Sequence, residues 1–223
     1  MKKETTQQFL TGKTRLPGFS APWIEKTLGE IGILSGSGVD KKDKELETPV
    51  RLLNYLDVFH SDFIHDRDLS FWTTATDHKI EACNIKKGDV FFTPSSEMPY
   101  DIALSAVAME DIPLSCYSYH LYRLRFIDEF DLLYRGYMFK SEDFYKQANL
   151  LCEGSGKRYV LTMPNFRSIV IKYPSDLSEQ RAIAEVLSDM DAEIEVLETK
   201  REKLIQIKQG MMQELLTGKT RLL

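Results

Sequence analysis

Cysteine is scarce in this chain and poorly placed for cross-linking. Cys83, Cys116 and Cys152 are odd in number and widely spaced, which excludes a disulfide framework and paired metal-ligand spacing and leaves reduced, mostly buried thiols. No HExxH or CxxC occurs, and His60, His65, His78 and His120 are scattered, so no metal site is expected. No apolar run approaches the roughly 18 residues that a bilayer span needs. The leading MKKETTQQFL has two lysines without an apolar segment behind them, so neither a secretory signal nor membrane insertion is expected, and the protein is placed in the cytoplasm. A broad basic excess is missing too. Net charge is −5 over 223 residues: residues 1–19 carry four basic and one acidic side chain, residues 20–177 carry 18 and 24, and residues 178–223 carry seven and nine. A protein that grips duplex DNA unaided needs a basic face to neutralise phosphates. If this chain binds DNA, it uses a local patch or a helper.

Catalytic signatures are absent as well. Gly-Lys-Thr stands at residues 12–14 and 218–220, but a phosphate-binding loop needs a glycine five positions before the Gly-Lys, where this chain has Gln7 and Gln213. No glycine-rich turn after a strand and no Asn/Asp-Pro-Pro-aromatic tetrad suggests that the chain methylates a base itself.

A repetition is present. Residues 7–16 read QQFLTGKTRL and residues 213–222 read QELLTGKTRL, eight identities in ten. That pattern marks one unit of a tandem, built to pair with a second one.

Between the two phrases the chain divides into a leading arm, residues 1–19, a body over residues 20–177, a long helix over residues 178–216 and a tail, residues 217–223. The helix is the clearest element. Ile183, Leu187, Met190, Ile194 and Leu197 alternate in spacings of four and three, the seam of a coiled coil, and form the expected dimer interface. Pro174 closes the strand-like segment before it, Asp176 and Glu179 resemble a capping pair, and Gly218 suits a C-cap. Such a helix is roughly 58 Å long at 1.5 Å per residue. In the body, VFFT after the Lys87-Gly88-Asp89 turn, IALSAVAM from Ile102, SIVIKY from Ser168 and above all SCYSYHLYRLRF from Ser115 read as strands, while residues 128–151 read as helical. The fold class is therefore a mixed α/β (α+β) body followed by a long coiled-coil α-helix through which the chain dimerises.

Three segments carry chemistry suited to nucleic acid. The loop at residues 154–159 presents Lys157, Arg158 and Tyr159, two cations and an aromatic ring fit for phosphate and for a guanidinium fork on guanine. After a strand, Ser96 supplies a hydroxyl that meets either base edge and Glu97 a carboxylate that accepts from cytosine N4. Tyr119, Arg123 and Arg125 fall on one face of the strongest strand.

Taken together, RLLNYLDVF at residues 51–59, SSEMPYDIALSAV at 95–107, YSYHLYRLRF at 117–126, and PSDLSEQRAIA at 174–184 leading into a long helix that ends in LLTGKTRL resemble the specificity subunit of type I restriction-modification systems. The resemblance covers nearly the whole chain. It implies two target recognition domains per subunit, each followed by a long helix, with the two helices antiparallel as a ruler. This chain has one domain and one helix, a single-domain half-subunit form. It also implies double-stranded DNA as ligand, methyltransferase subunits as partners and, through them, a restriction and translocase subunit. A second half-subunit would complete the dimer, and catalysis would belong to the partners, with no cofactor on this chain. The alternative from another class is a coiled-coil scaffold that never touches nucleic acid.

Overall fold

The computed structural model describes residues 2–156 and 158–218, in two units, Met1–Ala184 and Glu185–Leu223. The first unit is the body. Its centre is a five-stranded sheet in the order Gly32–Ser35, Tyr122–Phe126, Val90–Phe92, Ser105–Ala108, Phe63–Ile64, antiparallel except for the last pair. The middle strand is buried along its whole length, which requires cover on both faces. Successive side chains point to opposite faces. Phe91 meets Tyr117 at 5.5 Å in the apolar cluster that includes Val50, Leu52, Leu53, Ile85 and Cys116. Phe92 meets Phe139 at 4.9 Å and Phe166 at 4.8 Å on the helical side. The cluster under Phe91 belongs to a four-stranded sheet ordered Trp72–Ala75, Thr48–Leu53, Ile112–Tyr117, Asn84–Ile85, whose central pair is parallel. Short helices at Leu132–Tyr137, Glu142–Leu151 and Met163–Ser168 supply the other cover.

The Lys87-Gly88-Asp89 turn is present as expected, with Gly88 at φ +83°. Asp89, 1% exposed, takes a bidentate fork from Arg125 at 2.7 and 2.6 Å and the Lys86 N–H at 2.9 Å. Burial of that carboxylate is tolerable because its oxygens find charged and backbone donors. Arg125, grouped in the sequence with Tyr119 and Arg123 on one strand face, thereby spends its guanidinium on Asp89 and Asn84 while its side chain stays 29% exposed.

The segment read as one long strand is two. Ile112–Tyr117 lies in the four-stranded sheet and Tyr122–Phe126 in the five-stranded one. Between them the Leu121 N–H reaches the Ser118 carbonyl at 3.0 Å, and the His120 N–H the Ser118 hydroxyl at 3.3 Å, closing a turn. The face shared in sequence by Tyr119, Arg123 and Arg125 does not survive that turn. The strand expected from Ile102 begins only at Ser105, after Ala103 adopts φ +63°.

A two-stranded pair, Trp23–Thr27 with Val170–Pro174, closes the body. The long helix spans Leu177–Leu216, 40 residues. Asp176 caps it, accepting from the Ser178 N–H at 2.8 Å and its hydroxyl at 2.6 Å, bonds that lower the carboxyl's pKa. Glu179, expected as the reciprocal half of that cap, turns elsewhere. It is 1% exposed and accepts from Arg15 at 2.9 and 2.5 Å and from the Trp23 indole at 3.2 Å. Among the described residues no helix is long and apolar enough to cross a membrane.

Candidate nucleic-acid interface

Two of the segments singled out by chemistry are neighbours in space. Glu153–Ser155 and Arg158–Val160 form a hairpin, and its second strand pairs with Ser95–Ser96, Tyr159 opposite Ser96 and Val160 opposite Ser95. The backbone bond from Leu161 N–H to the Pro94 carbonyl, 2.8 Å, continues the pairing. Glycine is needed at the turn, where Gly154 and Gly156 take φ +129° and +65°. Lys157 lies outside the described residues. Arg158 is exposed, its guanidinium 3.4 Å from the Ser95 hydroxyl, and Tyr159 is half-buried.

Beside this sheet lies an open cleft of about 500 Å³, lined by Tyr55, Phe59, Ser96, Glu97, Asp101 and Arg158 together with the exposed apolar Leu56 and Met98. Glu97 is exposed at its mouth. Tyr55 stacks on Phe59 at 5.9 Å. Burial raises the Tyr55 phenol, against bonds to Ser96 and Thr93 that lower it; Tyr55 stays neutral, a fixed donor and acceptor in the floor. The cleft thus offers hydroxyls, two carboxylates, one guanidinium and apolar surface, the set that reads base edges.

Tyr119 is exposed on the turn between the two sheets, its ring tilted against that of His120 with centroids 3.9 Å apart. Burial first, then the positive charges of Lys41 and Arg158, hold the His120 imidazole below its ordinary range. The Lys41 loop is tied to this turn by backbone: Val39 N–H donates to Tyr117 and Tyr119 N–H to Val39, at 2.9 and 3.1 Å. Lys41 lies over the Phe71 ring at 5.7 Å, next to the exposed Trp72. A second cleft, about 330 Å³, is lined by Asp40, Lys42, Lys44, Thr74, Thr76 and Lys79. Sequence reasoning missed this loop. Its DKKDKELE run sets three lysines against four acids and reads as a solvated face.

Arg123 is a correction. It is 6% exposed, donates to the Asn84 carbonyl at 2.9 Å and lies over the Tyr117 ring at 5.2 Å, so it braces the core. The expected dimer seam also splits. Ile183 and Leu187 are each 2% exposed within this one chain and have no surface left for a second. Met190 and Ile194 are half-buried, and Leu197 is 56% exposed. Periodicity places all five on one stripe without separating the part that faces the chain's own interior.

A mixed α/β body followed by a long helix is the architecture of known specificity subunits. The chain aligns along 91% of its length with the S subunit from M. genitalium (TM-score 0.54, 19% identity) and along 96% with the HsdS subunit from Thermoanaerobacter tengcongensis (0.58, 16%). It aligns along 95% with a chain from a structural study of type I R-M complex assembly and conformational transition (0.59, 16%). Residues 21–206 match the type I restriction modification DNA specificity domain, and the chain belongs to that family. Over 94 residues it is 36% identical to the type I restriction enzyme MjaVIII specificity subunit of Methanocaldococcus jannaschii, a stretch covering 42% of this chain and 22% of that protein. The chain spans between 47% and 52% of the solved relatives' length.

Proposed function

We propose that this chain is a non-catalytic DNA-sequence recognition subunit that reads one half of a bipartite site. The juxtaposition of Ser96 and Glu97 with the Arg158 hairpin, in a member of this family, carries the reading. Arg158 forks onto guanine, Glu97 accepts from a cytosine amine, and Ser96 and Tyr119 complete the base contacts in the major groove. Lys157, Lys41 and Lys42 meet phosphates flanking those bases, where position rather than sequence is fixed. An acidic body gains its remaining grip from methyltransferase subunits, which carry the methyl donor and bring a restriction and translocase subunit with them. Residues 20–177 serve as the recognition domain, residues 1–19 and 217–223 as its flanking arm and tail. The helix over residues 178–216 is a spacer that pairs antiparallel with that of a second half-subunit, through Met190, Ile194 and Leu197 and the exposed apolar residues beyond them. Two readers at a set distance then specify a site with a fixed unread gap.

The test is selection from a random duplex library by the chain together with its modification subunit, followed by sequencing of the retained DNA. One recurrent bipartite motif is expected. A library that emerges unenriched would turn the assignment towards a scaffold.

A further inference from the structure

The repeated phrase has one local geometry in two surroundings. At the first copy the helix ends at Leu10, the Thr11 N–H and hydroxyl both reach the Gln7 carbonyl (3.1 and 2.6 Å), the Gly12 N–H reaches the Phe9 carbonyl (3.2 Å), and Gly12 turns to φ +68°. At the second the helix ends at Leu216, the Thr217 N–H and hydroxyl reach the Gln213 carbonyl (3.0 and 2.7 Å), the Gly218 N–H reaches Leu215 (3.2 Å), and Gly218 turns to φ +70°. Through its glycine, each copy is thus a preformed helix stop, with little ordering left to do there on binding.

The first copy fills a socket in the body. Its Gln7 side chain donates to the Lys140 carbonyl at 2.8 Å and accepts from the Glu142 N–H at 2.6 Å. Leu10 is buried to 3% exposure, Gly12 lies so close to the Trp23 ring that a Cβ there would sit 3.3 Å from it, and Arg15 forks onto the buried Glu179. In the described part of the second copy, Gln213 is exposed and Leu216 is 83% exposed. Each socket-filling residue of the first phrase has an identical counterpart in the second: Gln213 for Gln7, Leu216 for Leu10, Gly218 for Gly12 and Arg221 for Arg15. The two differences fall at exposed Gln8, now Glu214, and at half-buried Phe9, now the equally apolar Leu215.

We infer that residues 213–222 of one copy are a second key for the socket that residues 7–16 fill on another copy of this chain, and that the two phrases compete for it. The resident phrase, tethered to its own body, holds the advantage of a high effective concentration. The incoming phrase takes the socket when the resident one loosens, and each such exchange links two chains. The inference is independent of the DNA reading.

The experiment uses the full-length chain and a fluorescent peptide of residues 205–223, read by anisotropy without DNA. Arg15→Ala removes the resident fork and leaves Glu179 for the visitor. The Arg15→Ala chain is expected to bind the peptide at least about tenfold more tightly than the unaltered chain, and an Arg221→Ala peptide to lose that gain. Arg15→Lys, which keeps the charge without the fork, is the milder form and is expected to give a smaller gain. Equal binding by the folded variants and the unaltered chain would overturn the proposal. On the unaltered protein, isotopically heavy and light chains are mixed and cross-linked through amines. Lys13 borders a cleft lined also by Lys172, so its counterpart Lys219 is expected to yield mixed-isotope links to Lys172. A digest rich in Lys13–Lys172 links and empty of mixed ones counts against the exchange.

Discussion

The body and the long helix handle their apolar residues in opposite ways. In the body Phe91, Phe92, Tyr117, Tyr134, Phe139, Phe144 and Phe166 are fully enclosed. Along the second unit Leu197, Leu204, Ile207, Met211 and Leu215 are 40% to 60% exposed. Exposed apolar residues recurring at helical spacing over several turns mark a face that lacks its cover. The body is stabilised by its own interior. The helix carries an apolar stripe that the described residues leave open.

The sharpest way to break this contrast is inside the body. Phe92→Ala removes a ring held edge-on between Phe139 and Phe166 and is expected to cost about 3–5 kcal/mol, seen as a fall in the thermal midpoint of the near-ultraviolet signal. Next comes Leu204→Asp combined with Met211→Asp. The body's melting is expected to stay within about 0.5 kcal/mol, as for surface changes generally. Sedimentation should meanwhile show the paired species lost, since each apolar side chain buried in a pair contributes about 1.5–3 kcal/mol; a melt that collapses with the pairing would mean that the two units are not separate in this sense. Arg158→Ala is smaller still for stability but is expected to weaken DNA binding by the assembled complex by about 1–3 kcal/mol and to relax the base preference at one position, measured by titration at fixed salt and by repeat selection.

The smallest effect belongs to His120. Its folded pKa lies below the ordinary value of 6.5, so the unfolded chain takes up a proton more readily. The contribution to stability is present above pH 6.5 and is lost as pH falls through that value towards the lower folded one. Bound DNA phosphates near Lys41 and Arg158 would offset their charges. An NMR titration is expected to show the imidazole pKa rising on DNA binding, whereas an unmoved titration would place His120 away from the contact.

Legibility in the sequence followed the same division. The long helix is legible almost to the residue, residues 178–216 against Leu177–Leu216, because a regular seam from Ile183 to Leu197, continued by apolar residues as far as Leu216 and bounded by Pro174 and Gly218, has few competing explanations. What its stripe does not reveal is that Ile183 and Leu187 are each buried to 2% exposure while Leu197 is open. Alternation along SCYSYHLYRLRF was real on both sides of Ser118, yet a turn made by one serine's carbonyl and hydroxyl re-phased it and carried Arg123 inward. The candidate interface was half legible. Ser96, Glu97 and Arg158 stand out by side-chain chemistry, and the pairing of Tyr159 with Ser96 that unites them is a contact between segments some 60 residues apart. The Lys41 loop escaped because alternating lysines and acids have no net signature until the fold places the lysines beside an exposed tryptophan.

The three thiols give the native chain a practical asymmetry. Burial pushes Cys116 up to about 12 and raises Cys83 as well, so at neutral pH both are protonated and enclosed, unreactive towards alkylating dyes. Cys152 is partly open, immediately before the hairpin strand Glu153–Ser155. A maleimide fluorophore added to the unaltered protein will therefore mark that single position, one strand away from Arg158, and report on whatever approaches the hairpin without any engineered cysteine.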